Sequence, residues 1–273
     1  MTIISLLLVL LVERVTTKSQ YWQFEFYFNK YLQTLGFRGD NAPSRDWWWL
    51  GLILLPVLLT YLLVQELSGG LLELVLSTAI LMVCVGCPAV RATYKCYLQA
   101  ANRGDLEACS LYAEQISETS DEPESFGQNL LWQNYLHYSA VILWFTAFGV
   151  SGALLYVLSR ESYHYLRKTE HAAEQQARAL MHILDIVPVR ITALGLLLVG
   201  HFSRAMPTWL SHVADIQLPA KTLLIDVAKQ AEEVEIDEND CTQEPCTLVR
   251  LAKRNVMFLL VAIALLTLAG WLN

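Results

Sequence analysis

Residues Trp47 to Gln65, WWWLGLILLPVLLTYLLVQ, run without a single charge. As a helix that run rises about 28 Å, close to the roughly 30 Å hydrocarbon core of a bilayer. Further apolar runs lie at Leu71–Val90, Tyr138–Leu158, 186–202 and Val256–Leu272. In lipid every backbone N–H and C=O must find its partner inside the chain, so only helices or a closed barrel can cross. A barrel would show short alternating strands, and these runs of Leu, Val, Ile and Ala do not alternate. The expected fold is therefore all-α. It is a polytopic helical membrane protein with four to five membrane segments, some re-entrant or broken, plus cytoplasmic amphipathic helices. Residues 1–273 are expected to make one integral membrane domain, with the lipid bilayer as its partner. Composition agrees, with 55% hydrophobic and 16% charged residues and a mean hydropathy of +0.38.

The first apolar run, Ile3–Val12, is too short to span alone. It predicts a helix buried against the bundle or lying partly in the interface. MTIISLLLVLLVERV lacks a basic n-region and a small-residue cleavage site, so it does not read as a signal peptide. Trp47, Trp48 and Trp49 read as an interfacial anchor, and Pro56 as a kink. The turn ELSGG carries no Lys or Arg, whereas Arg45 precedes the hairpin and Arg91, Lys95 and Arg103 follow it. The excess of basic residues on cytoplasmic loops then places the Glu66–Gly70 turn outside and residues 91–137 in the cytoplasm. Residues 91–116 read as helix, turn, helix, broken at Asn102-Arg103-Gly104-Asp105, and 117–125 as an acidic loop. Tyr138–Leu158 is interrupted by Gly149-Val-Ser-Gly152; it either spans or turns back there. Residues 203–255 are placed in the cytoplasm, with 226–247 as a mobile acidic segment.

One charge sits inside an apolar run. In DIVPVRITALGLLLVG, 185–200, Arg190 follows Pro188 by two residues. An isolated charge at membrane depth costs about 2.5–3.5 kcal/mol on insertion scales. With Pro188 in the first turn of a helix, Arg190 lies near the helix mouth. It is then a structural partner of Asp185, a snorkelling residue, or the anion-binding arginine of a polar pocket. Glu13 and Arg14 form a second charged pair at a similar boundary and are candidates for the same pocket. Beyond Leu158, His164, Arg167, His171, Gln175, Arg178, His182 and Asp185 project to one stripe of a helix. That stripe is either a solvated face or a basic surface for an anionic ligand, with His171, Arg178 and His182 as the candidate contacts. The histidines are too far apart along a helix to share one ion, so no metal is expected. Cys84-x-x-Cys87 falls in an apolar span without a matching pair and reads as packing. Cys241 and Cys246 stay reduced if their loop is cytoplasmic. No Walker A, HExxH or GxSxG pattern occurs, and no cofactor is expected. A net charge of −7 (19 basic against 26 acidic residues), carried largely by two loops, gives no reason to expect nucleic acid as a partner.

Four stretches carry a family resemblance: LLVLLVER at 7–14, KCYLQAANRGD at 95–105, LLWQNYLHYSAVILWF at 130–145 and HILDIVPVRITALGLLLVGHFSRAMPTW at 182–209. In these the chain resembles the AmpE family, inner-membrane proteins linked to β-lactamase induction and encoded beside a cytosolic muropeptide amidase. That family is distantly similar to the CobD/CbiB cobalamin-pathway enzymes, whose D…N-Y-x-P-A-R-L-T-A signature is echoed by Asp185, Pro188, Arg190, Thr192 and Ala193. Their central Gly-Arg-Asp-Thr stretch has no counterpart in SETSDEPESFGQN, which argues against ligase activity here. The resemblance implies a multi-pass protein of the bacterial inner membrane with a regulatory role in muropeptide recycling. An anionic cell-wall metabolite or lipid is the implied ligand. Two rivals remain: an amide- or ester-forming membrane enzyme on the CobD/CbiB scaffold, and a transporter or binder of anionic muropeptide or polyprenyl lipid. Neither the protein partner nor the ligand is named by the sequence.

Overall fold

The computed structural model describes residues 2–15, 22–35, 48–67, 70–117, 124–232 and 241–271. Among them there is no strand. The helices are α1 (Thr2–Val15), α2 (Phe24–Thr34), α3 (Trp48–Glu66), α4 (Leu71–Cys84), α5 (Pro88–Asn102), α6 (Leu106–Ile116), α7 (Phe126–Asn134), α8 (Ala140–Lys168), α9 (Glu174–Val199), α10 (Phe202–Val213), α11 (Ala220–Ala231) and α12 (Gln243–Leu268). A π-helical turn, Tyr135–Ser139, joins α7 to α8. Four runs among the described residues are long and apolar enough to cross a membrane: Trp48–Glu66, Phe126–Lys168, Glu174–Val199 and Gln243–Leu268. A fifth is added when α4 and α5 count as one broken span. The all-helical membrane class read from the sequence is the class observed.

Two compact units divide the chain. The first comprises Met1–Gly86, Ala140–Asp185 and Ile263–Asn273; the second comprises Cys87–Ser139 and Ile186–Ala262. In the first unit α8 is the hub, with α1, α2, α3 and α4 packed on it. The short α1 also packs on α4, burying Ser5, Leu6, Val9 and Glu13 on one face while Ile4, Leu7, Leu8 and Leu11 stay exposed. Helix α3 turns Leu52, Ile53 and Thr60 inward and leaves Leu54, Leu55, Leu58, Leu59, Leu62 and Leu63 at 48–61% exposure. An outward apolar face of that extent is unfavourable in water and neutral in lipid. Trp49 is buried, Trp48 is half-buried, and Trp47 lies outside the described residues.

The structure corrects three boundaries and breaks a fourth segment where the sequence puts the break. The expected span Leu71–Val90 stops at Cys84: Val85 is extended, Gly86 takes φ +88°, and Pro88 starts α5 afresh at its first turn. The segment from Tyr138 is no straight span, because Phe148 (φ −130°, ψ 15°) and Gly149 (φ 65°, ψ −157°) break it at the predicted GVSG. A Cβ on Gly152 would lie 2.5 Å from the Trp144 carbonyl oxygen. Residues eight apart in a straight helix are separated by about 12 Å, so the chain bends sharply there. The single polar helix expected beyond Leu158 is two helices. Lys168 ends α8, Glu170 takes φ 48°, and its N–H and that of His171 bond back to the carbonyls of Arg167 (3.1 Å) and Leu166 (2.9 Å). That is the two-bond closure of a helix C-terminus on a left-handed residue. Finally, the run 186–202 is not a separate helix; α9 begins twelve residues earlier, at Glu174, and ends at Val199.

In the second unit α5 and α6 form the expected hairpin. Gly104 takes φ +72° in its turn, and the Asp105 carboxylate caps α6 by accepting from Ala108 N at 3.0 Å. Helix α6 packs on α7, α7 on α11, and α11 on α10. The stretch 226–247, expected to be mobile, is helical at both ends: α11 runs through Ala231 with Val227, Ala228 and Ala231 fully buried, and α12 starts at Gln243. Residues 233–240 within it, and 118–123 of the acidic loop, lie outside the described residues.

Candidate functional site

Helix α8 carries polar side chains into the first unit. Tyr156, Ser159, Arg160 and Ser162 are all 3% exposed or less. Tyr156 and Arg160 are one turn apart and share a face. The Tyr156 hydroxyl donates to Asp185 Oδ1 at 2.9 Å, and Asp185, on α9, is itself 4% exposed. Arg160 donates from Nε (3.2 Å) and Nη2 (3.0 Å) to one oxygen of Glu161. Taking a guanidinium and a carboxylate out of water costs several kcal/mol per ion, so they survive only when their hydrogen bonds are made. The result is a buried tyrosine, carboxylate and fixed positive charge within helices of membrane-spanning character. Such ionisable groups are where membrane proteins place ligand or ion contacts. Chemically, the group combines a phenol–carboxylate hydrogen bond with a guanidinium–carboxylate ion pair.

Glu13 belongs to the same unit. It is 4% exposed at the last turn of α1 and sits against Gly86, where an added Cβ would lie 2.3 Å from Oε1. Gly86 therefore serves twice, by tolerating φ +88° and by leaving room for a carboxylate. On the same face of α1, Thr78 of α4 donates to the Ser5 hydroxyl at 3.1 Å. Arg14 follows in α1. The other candidates are spread along the α8–α9 corner. His171 lies in the turn, its ring edge-on to Trp48 at 5.9 Å, with Nδ1 accepting from Ala173 N at 3.1 Å. Its role is to cap the start of α9. Arg178 is exposed on α9 and His182 half-buried one turn later. The predicted stripe is thus distributed over α8, a turn and α9.

Arg190 belongs to the second unit, and its neighbours there explain it. Pro188 is not in a first turn; it lies fourteen residues into α9. Interior proline lacks the N–H that Leu184 O would accept. In the first unit, the Trp144 indole N–H supplies that carbonyl with a donor instead, at 3.3 Å. Arg190 then donates to three carbonyl oxygens: Ile186 at 2.7 Å, Val213 at 2.8 Å and Asp215 at 2.6 Å. Val213 is the last residue of α10. Four carbonyls at a helix C-terminus lack intrahelical donors and carry partial negative charge. A guanidinium there satisfies both needs. In return, Trp209 of α10 donates its indole N–H to Arg190 O at 3.3 Å. Two turns beyond Pro188, Gly195 lets the buried Asn255 of α12 approach; Asn255 donates to Thr192 O at 3.2 Å.

Tyr156 and Arg160 were missed by sequence reasoning. The available signal was a charge one turn after a tyrosine, directly at the end of an apolar run. Among the described residues no group of three or more His, Cys, Asp or Glu side chains is placed to hold a metal. An apolar groove of about 620 Å³ follows the outer face of α3 from Gly51 to Glu66, but one helix alone lines it and it carries no chemistry beyond Glu66.

Residues 1–273 match the family model described as regulatory signalling modulator protein AmpE. A curated relative, Protein AmpE of Shigella flexneri, is 27% identical over 290 aligned positions, covering 99% of this chain and 99% of that one. No solved structure matches the chain.

Proposed function

Because the chain belongs to the AmpE family of regulatory signalling modulators, we propose that it acts in the bacterial inner membrane to modulate β-lactamase induction in step with cell-wall recycling. The ligand in this reading is an anionic muropeptide or lipid-linked metabolite. The observation that carries it is the buried Arg160, with Tyr156 one turn earlier bonded to the buried Asp185. A fixed guanidinium among membrane helices selects an anion, and the phenol and carboxylate set the orientation in which it is met. Of the residues suggested by sequence, Asp185 is the one this reading keeps at its centre. Glu13, Arg14, His171, Arg178 and His182 share its unit. Arg190 supports α10.

The test is β-lactamase induction by a β-lactam in a strain whose own copy is deleted, complemented by Arg160→Met or Tyr156→Phe. Membrane abundance is measured alongside. Both variants are expected to lose the induction response of the wild type. Tyr156→Phe removes one oxygen and keeps the ring, so it disturbs packing less than Arg160→Met, and membrane abundance reports a folding loss in either. Wild-type induction by both variants at normal abundance overturns the ligand reading.

A further inference from the structure

Helix α10 lies in the second unit and folds back along the end of α9. The turn between them is Gly200-His201. A Cβ on Gly200 would meet the Ala231 carbonyl oxygen at 2.5 Å, and the His201 N–H donates to that same oxygen at 2.7 Å. The far end of α10 is tied to Arg190 of α9, which donates to Val213 O at 2.8 Å and accepts from the Trp209 indole at 3.3 Å through its own carbonyl. The stretch from Arg190 to Val199 and the whole of α10 therefore run antiparallel, side by side. That stretch of α9 ends a run long and apolar enough to cross a membrane. From Ile186 to Val199 the exposed side chains are Val187, Ile191 and Leu198, all apolar and within about 40° of one another around the helix. The surface of α10 divides into sectors. Toward the protein, Ala205 is fully buried and His212 Nε2 lies 3.5 Å from Asp226 of α11. On one outer flank Phe202 is 46% and Leu210 54% exposed, with Met206 half-buried between them. On the other, Ser203, Arg204, Pro207 and Ser211 are exposed. The first flank is unfavourable in water and the second in hydrocarbon; both are satisfied at the boundary between the two.

We propose that α10 is an interfacial helix, with Phe202, Met206 and Leu210 set into the acyl chains of the bilayer and Ser203, Pro207 and Ser211 turned to water. Continuity with α9 identifies the occupant of the apolar flank as lipid. The outward stripe of α9 ends at Leu198, and Phe202 opens the apolar flank of α10 directly past the turn. A helix pinned at both ends along a membrane-spanning segment has the bilayer as its neighbour. The sequence alone put residues 203–255 in the cytoplasm; this reading moves α10 to the membrane boundary. It also accounts for an arginine inside an apolar run. The carbonyl that ends α10, Val213 O, comes to lie beside the apolar part of α9, and Arg190 supplies the donor that water would supply elsewhere. The ligand reading plays no part in this argument.

The test places a nitroxide on a ketone-bearing amino acid, which leaves the six native cysteines of the full-length protein in place. Labels go singly at Phe202, Leu210, Ser203 and Ser211, all exposed, so no core packing is removed and each flank is read twice. A label that prevents folding at one position leaves the second position on that flank to decide. The protein is reconstituted into vesicles of phosphatidylethanolamine and phosphatidylglycerol. Power-saturation EPR then compares collisions with oxygen, which partitions into lipid, and with a neutral nickel chelate, which stays in water. Oxygen should dominate at Phe202 and Leu210 and nickel at Ser203 and Ser211, so that the logarithm of their ratio changes sign around the helix. Nickel dominance at all four positions puts α10 in water and overturns the proposal. Exclusion of both reagents at Phe202 and Leu210 overturns it as well, because a protein surface then covers that flank. Oxygen dominance at all four overturns it too, because the helix is then immersed in the bilayer rather than lying at its edge.

Discussion

Arg190→Leu separates a helix-capping arginine from one that waits for a ligand. In the structure its guanidinium serves two carbonyls at the C-terminal end of α10, Val213 and Asp215, besides Ile186 one turn earlier in α9. A hydrogen bond to a charged group contributes about 1.5–3 kcal/mol, and less where water can replace it. The Val213 bond is partly buried and keeps most of that; the Asp215 bond is exposed and keeps little. Leucine should therefore weaken the attachment of α10 by about 2–4 kcal/mol. That corresponds to a roughly 30- to 700-fold rise in local opening. Total abundance is the wrong readout, because removing a charge from an apolar run also favours insertion by about 2.5–3.5 kcal/mol. Amide hydrogen exchange in nanodiscs reads the local event. Faster exchange should be confined to α10 and the residues after it, with α3 and α4 unchanged. Arg190→Lys should fall between the two, since an ammonium keeps the favourable charge at the helix end but cannot reach three carbonyls at once. Wild-type protection of α10 in Arg190→Leu would refute the capping argument.

Gly86→Ala should cut the amount of folded protein sharply, because the new Cβ meets the Glu13 carboxylate at 2.3 Å while φ stays at +88°. Thermal unfolding in detergent checks it, and an unchanged midpoint would show that Glu13 can move aside. The hydroxyl–carboxylate bond in the first unit is measured by a double-mutant cycle of Tyr156→Phe with Asp185→Leu. Tyr156→Phe alone should cost about 1.5–3 kcal/mol and should cost far less once Asp185 is gone; strictly additive losses would mean the two side chains do not interact.

Much of the architecture is written locally. Uninterrupted apolar runs of membrane length force helices, because backbone groups in lipid have no other partner. Asn102-Arg103-Gly104-Asp105 and Gly149 mark breaks through chemistry that a few neighbouring residues decide, and both breaks are where the sequence puts them. The exit from α8 was not legible, since it turns on Glu170 adopting a left-handed conformation that a glutamate does not advertise. Nor was the placement of Pro188. Reading it as a helix start follows from its missing N–H, yet α9 runs through it because the Trp144 indole reaches the bare Leu184 carbonyl from another helix. Arg190 is the sharpest case. Its sequence neighbours suggested Asp185 as the partner, five positions away on the same strand of text. In the structure Arg190 bonds the carbonyls that end α10, and Asp185 accepts from Tyr156. Periodicity and hydropathy specify which face of a helix is apolar. Which carbonyl or carboxylate a buried side chain finds depends on which helices pack together, and that only the tertiary structure decides.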